Sequence, residues 1–144
     1  MAETPLHTFG TIDIYKGRTC DFTAKLYKQD KTAFGLAAGD VVRVKLWDYP
    51  DGNATAPTLD LDSAAPSANN SSVTIDTIGS DGVTPAQVTI RFAQDDTTLL
   101  SEQWYRVEIS YVDDSETAPT DAIKVVAIGT VNVIGTATGD VAKT

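Results

Sequence analysis

The chain of 144 residues carries 20 Asp and Glu against 11 Lys and Arg, a formal net charge of −9, and 42% hydrophobic residues. That length suits one domain with its own core, and the acidity argues against nucleic-acid or anionic-membrane partners, which both draw on basic patches. No apolar run approaches the ~20 residues of a spanning helix, MAETPLHTFG has neither the basic end nor the apolar centre of a signal peptide, and one Cys and one His allow neither an intramolecular disulfide nor a multi-histidine metal site.

Thr, Val and Ile make up 42 of the residues, a composition that favours pleated, half-buried strands. A first strand is expected near Phe9–Tyr15, ahead of the Lys16-Gly17 turn. Over Cys20–Tyr27, Cys20, Phe22, Ala24 and Leu26 share one face. Over Val41–Asp48, Val42, Val44 and Leu46 oppose Arg43, Lys45 and Trp47. Residues Asn53 to Ser72 are rich in small and polar types and read as a long, mobile surface excursion, with a weaker strand at Leu59–Leu61. Short alternating runs follow at Val73–Thr77 and Val88–Phe92. DDTTLLSEQW suits a single helical turn capped by Asp96 or Thr97. Over Trp104–Val112, Tyr105, Val107, Ile109 and Tyr111 oppose Trp104, Arg106, Glu108 and Ser110. The last segment, Ala122–Ile134, has apolar residues of both parities, so it is either covered on both sides or docked on a partner.

Short alternating runs between turn signals imply two antiparallel sheets packed face to face. The fold class expected is all-β, an immunoglobulin-like antiparallel β-sandwich of about seven to eight strands. Residues 1–8 form an N-terminal arm, 9–134 the sandwich and 135–144 a C-terminal tail.

Little in the chain points to catalysis. Cys20 lies on the apolar side of its strand and His7 in the arm, so a buried structural thiol is the better reading than a Cys-His pair. The acid clusters (Asp60 with Asp62, Asp95 with Asp96, and Asp113, Asp114 with Glu116) read as solvated turns. Asp48 to Asn53 lacks the alternate ligand spacing and closing Glu of a calcium loop. No metal and no cofactor are expected. The aromatic residues carry more. Trp47 and Trp104 have the parity of the polar faces, and the third and sixth strands of such a sandwich are neighbours. Both tryptophans would then lie on one outer surface with Arg43, Lys45, Arg106 and Glu108. Trp and Arg are the residue types that dominate interface hot spots, although loops of the same chain would explain the pattern equally well.

Two stretches carry a resemblance. DDTTLLSEQWYRVEISYVDD with the final IGTVNVIG resembles a pattern of bacteriophage virion proteins, in which D-T-x-x-L precedes a tyrosine strand, an acidic turn and a last strand. IDIYKGRTCDFTAKLYKQDKTAFGLAAGD resembles the opening of that pattern, with Gly17, Thr19, Phe22 and Leu26 matching. Arg18 replaces the usual Asp, and Glu102-Gln103 replaces a Gly-rich turn. Thr97 and Leu99 would form a tight turn whose leucine plugs one end of the sandwich. Tyr105 is placed like a tyrosine corner, returning its hydroxyl to the preceding backbone.

The resemblance implies a non-enzymatic virion component, first a capsid decoration (cement) protein bridging subunits of the major capsid protein on the particle exterior. Homo-oligomers and arms reaching neighbours are expected, with Leu6, His7 and Phe9 as arm contacts beside Trp47, Trp104, Arg43 and Arg106. A tail or baseplate adaptor is the same-class alternative. A carbohydrate-binding or adhesive module using Trp47, Trp104 and Tyr27 is the alternative from a different class.

Overall fold

The computed structural model describes residues 7–28, 30–48, 58–79, 81–112 and 123–135. The elements in chain order are β1 (His7–Tyr15), β2 (Cys20–Lys25), β3 (Val41–Asp48), β4 (Leu59–Asp62), β5 (Ser72–Thr77), β6 (Gln87–Phe92), α1 (Gln94–Leu99), β7 (Trp104–Val112) and β8 (Ile123–Ile134). They form a five-stranded sheet of order β1-β8-β7-β3-β4 and a three-stranded sheet of order β2-β6-β5. The all-β sandwich expected from the alternation is the observed architecture.

The core follows the period of two. Val42, Val44 and Leu46 from β3, Tyr105, Val107 and Ile109 from β7, and Val131 and Val133 from β8 point inward from the larger sheet. Ala24, Val73, Val88, Ile90 and Phe92 meet them from the smaller sheet, all of them buried. Each large apolar side chain enclosed this way contributes roughly 1.5–3 kcal/mol relative to exposure. Phe22, on β2 opposite Ile90, packs half-buried against this core.

One pairing is not antiparallel. β1 runs parallel to β8, because the turn after Tyr15 carries the chain from the larger sheet to β2 in the smaller one. With no hairpin partner in its own sheet, β1 pairs with a strand distant in sequence. Gly17 makes that crossing tight: its φ is +82° and the Arg18 N–H donates to the Tyr15 carbonyl at 3.1 Å. That is the geometry a type II turn demands of its third residue. β1 also starts at His7, so His7 and Thr8, expected in the arm, lie in the sheet opposite Ala127 and Ile128. Residues 1–6 and 136–144 are outside the described residues.

The mixed parity of the last strand has a local cause. Ile109 pairs with Ala127 but Ser110 pairs with Val125, so Val126 is an extra residue that breaks the alternation as a bulge does. β8 is moreover an interior strand, flanked by β1 and β7. β2 ends at Lys25, two residues short of Tyr27, which makes an isolated bridge to Ala33. Cys20 is half-buried rather than enclosed, with Sγ 3.8 Å from the Arg18 carbonyl. The excursion expected over Asn53–Ser72 is structured where it is described. Leu59–Asp62 forms β4, and the Ser67–Ser71 turn closes with Ser71 completely buried.

The connection from β6 to β7 corrects two readings. The cap of α1 is Ala93, without a side-chain hydrogen bond, rather than Asp96 or Thr97. With the helix starting at Gln94, its pitch turns Asp96 and Thr97 inward, the extended C-cap residue Leu100 is buried, and Leu99 is 75% exposed. Leu100 is therefore the plug at this end, and D-T-x-x-L counted from Asp96 does end on Leu100. The Thr97 hydroxyl donates to the Arg18 carbonyl at 2.8 Å, tying α1 to the β1–β2 turn.

Tyr105 closes the same end. Its ring is buried and its hydroxyl accepts the Ser101 N–H at 2.9 Å, the tyrosine-corner contact expected of it. Tyr105→Phe keeps the ring and strands that donor, so urea unfolding should show a loss of about 1–3 kcal/mol.

Candidate interaction surface

The outer face of the five-stranded sheet is built by the residues between the core positions. Cross-strand rows run over it in register. Arg43 stands between Asp62 and Ser110, Lys45 between Asp60 and Glu108, Trp47 opposite Arg106, and Trp104 opposite Asn132. Thr130 and Asn132 continue the rows to Thr11 and Asp13 on β1, where the Thr11 and Thr130 hydroxyls lie 3.0 Å apart. Trp104 is the diagonal neighbour of Trp47 across the β3–β7 pair, within reach for side chains of this size. Trp47, Trp104, Arg43 and Arg106 thus share one surface, as their parity implied. Leu6 is outside the described residues, and for His7 and Phe9 the backbone position on β1 is what is described.

Exposure and hydrogen bonding single this face out. Trp104 and Tyr15 are each 45% exposed, and Tyr15 sits on the same sheet opposite Ile134. Among the described residues, the side-chain polar atoms closed to solvent without a hydrogen-bond partner are Trp47 Nε1, Arg106 Nε and Ser110 Oγ. All three belong to outward positions on β3 and β7. Leaving such a group unpaired costs about 1–3 kcal/mol each, and most native buried polar atoms avoid it. Among the described residues, the cations of this face make no ion pair. Arg43 and Lys45 face acids in register, yet the ion pair found among the described residues is Arg91 with Asp21 on the other sheet.

That other sheet satisfies itself. Arg91 Nε and Nη2 donate to Asp21 Oδ1 and Oδ2 at 2.8 and 3.0 Å, which holds the Asp21 carboxyl below the usual range. Thr89 donates to Asp76 at 2.6 Å and shares a 3.3 Å contact with Thr23. In the turns, hydrogen bonds from Thr32 lower the Asp30 carboxyl, and those from Thr84 and Val83 lower Asp81.

The acid pairs do not converge. Asp60 and Asp62 point outward from β4, Asp62 accepting the Ala64 and Ala65 N–H groups. Asp95 is exposed while Asp96 is buried. Asp113, Asp114 and Glu116 are outside the described residues, and no group of three or more potential metal ligands occurs among those described. Tyr27 lies two residues past β2, a strand of the smaller sheet, and not on the face that carries the tryptophans.

One arrangement has no counterpart in the sequence reading. Asp96 accepts Ser67 Oγ at 3.2 Å, Asn69 Nδ2 at 2.9 Å and the Ser71 hydroxyl. These partners precede it by 25 to 29 residues, in a stretch whose composition marks only a loop. No family model matches the chain, and no curated protein matches it.

Proposed function

We propose that this chain is a non-enzymatic structural part of a bacteriophage particle, an immunoglobulin-like sandwich that decorates the outside of the capsid. In this reading the outer face of the five-stranded sheet lies against the major capsid protein, and copies associate with one another on the particle. The order of strands supports it, with the first strand beside the last and the β7–β3 pair central, as does the tyrosine corner at Tyr105. The virion-protein resemblance supplies the particle.

The observation that carries the contact is the exposure of Trp104 and Tyr15, each 45% open, on the sheet face that also carries Trp47, Arg43 and Arg106. A partner seated there covers the apolar area of Trp104 and Tyr15 and can place acceptors against the Arg43 and Lys45 side chains on the same face. Modest contacts repeated by particle symmetry then hold firmly. A tail or baseplate position would use the same face.

Trp104→Ala tests it. Binding to the partner should weaken by about 2 kcal/mol, the size of an interface hot spot, while the thermal midpoint stays near that of the parent chain. Occupancy on purified particles and a melting curve measure the two. A large loss of stability with unchanged occupancy would make Trp104 a fold residue and sink the assignment.

A second reading has its own observation. Trp104 is half exposed beside Asn132, with Asp13 next in the row, an aromatic platform flanked by groups able to bind hydroxyls. A glycan partner at this face would lose affinity in the same variant, without any change in particle occupancy.

A further inference from the structure

A polar hollow of about 260 Å³ opens on the side of the molecule away from that face, lined by Thr19, Asn69, Asn70, Arg91, Gln94 and Asp95. Its walls come from the β1–β2 turn, the turn before β5, the end of β6 and the first residues of α1. Several lining groups are held from behind. Two guanidinium nitrogens of Arg91 are fixed on Asp21 at 2.8 and 3.0 Å. Asn69 Nδ2 is fixed on buried Asp96 at 2.9 Å. Thr19 Oγ1 accepts the Gln94 N–H at 3.1 Å. The remaining valences are unspent: Arg91 Nη1, Asn69 Oδ1, the side-chain amides of Asn70 and Gln94, and the Asp95 carboxylate.

We propose that this hollow binds a neutral polyhydroxylated ligand, one sugar ring. Planar donors and acceptors share its lining, and a hydroxyl is a donor and an acceptor at once. Adjacent hydroxyls of a ring can therefore engage an amide or a carboxylate with both valences used. Charge argues against the other small ligands. An anion would meet the Asp95 carboxylate, with Asp21 already neutralising Arg91, and a metal cation would meet the Arg91 guanidinium. The volume lies below the roughly 300–1,000 Å³ of sites for drug-sized molecules, which suits a single ring. Groups already fixed by Asp21 and Asp96 lose little freedom on binding. Among the described residues no aromatic side chain lines the hollow, so affinity should lie in roughly the millimolar range. The inference does not depend on the virion reading, since it concerns the opposite sheet.

The test follows side-chain amide resonances of Asn69, Asn70 and Gln94 by NMR while sugars are added to roughly tens of millimolar, enough to populate a millimolar site. One arm uses methyl glycosides of common hexoses, which mimic the end of a glycan, and a second uses the free hexoses, which mimic a metabolite. Saturable shifts in either arm support the proposal, and the arm that responds identifies the source. Asn70→Gly, which tolerates the positive φ of 71° at that position, and Gln94→Ala should each weaken binding about three- to tenfold with the melting curve unchanged. The proposal is overturned if neither sugar arm shifts these resonances, if inorganic phosphate or calcium chloride shifts them and sugars do not, or if both variants bind as the parent does.

Discussion

Gly79→Ala should lower the stability of the sandwich by about 3–5 kcal/mol, the sum of left-handed backbone strain and steric overlap. For a chain of this size the thermal midpoint should fall by roughly 10–20 °C. Gly79 has a φ of +69°, and a Cβ there would lie 2.5 Å from the Thr84 carbonyl oxygen and 2.7 Å from the Ala86 nitrogen. Both are backbone atoms, which cannot rotate away as the end of a side chain can. The approach is tight because three segments are hydrogen-bonded at this end of the molecule: Leu36 N–H donates to the Ile78 carbonyl at 2.7 Å and Ala86 N–H to the Phe34 carbonyl at 2.8 Å. Gly35 is in the same stack, where a Cβ would lie 2.4 Å from the Gly79 carbonyl oxygen. Gly82 separates the two penalties. Its φ is +76° but nothing lies within 4 Å of its would-be Cβ, so Gly82→Ala should cost about 1–2 kcal/mol, the strain alone. Urea unfolding of both variants measures the difference. Equal losses would show that close packing at Gly79 contributes nothing.

The contrast between what the amino-acid pattern revealed and what it hid has physical causes. β3 and β7 were legible because each has one face in the core and one outside, and period two records that directly. The same parity placed Trp47, Trp104, Arg43 and Arg106 on one surface. β8 was ambiguous because Val126 is an extra residue opposite β7, and a bulge shifts every later residue to the other parity class. The choice of Leu99 over Leu100 turned on where a six-residue helix begins. With Ala93 at the cap instead of Asp96, the inward positions move and the leucines exchange roles. The parallel β1–β8 pair and the Gly35–Gly79 approach join positions far apart in sequence, and local patterning carries no record of them. Neither does it record an unmet hydrogen bond, which is why the donors of Trp47 and Arg106 emerged only in three dimensions. The hollow is hidden for the same reason, since Thr19, Asn69 and Gln94 each read alone as an ordinary turn residue.

Asp96 should prove to be a stabilising residue of comparable weight, with Asp96→Ala costing about 2–4 kcal/mol through the donors it strands. The carboxylate is 7% exposed and accepts from Ser67, Asn69 and Ser71. Behind it, the Ser71 hydroxyl accepts the Ala93 N–H at 2.9 Å, and the Ser71 N–H donates to Ser67 Oγ at 3.0 Å. One acid therefore fastens the turn before β5 to the start of α1. Truncation strips the buried Ser71 hydroxyl and the half-buried Ser67 and Asn69 groups of their acceptor, and a methyl group cannot replace it. Asp96→Asn keeps the shape but presents an NH₂ where an oxygen accepted, so a smaller loss of about 1–2 kcal/mol is expected. Asp95, one position earlier and exposed, provides the reference, since Asp95→Ala should change stability by no more than about 0.5 kcal/mol. Hydrogen exchange adds a local readout, because the Ser71 amide should lose protection in Asp96→Ala well before the core strands do. If Asp96→Ala matched Asp95→Ala in urea and left Ser71 protected, the turn would be held by packing alone. The preorganisation of Asn69 in the hollow would then have to be attributed to something other than this carboxylate.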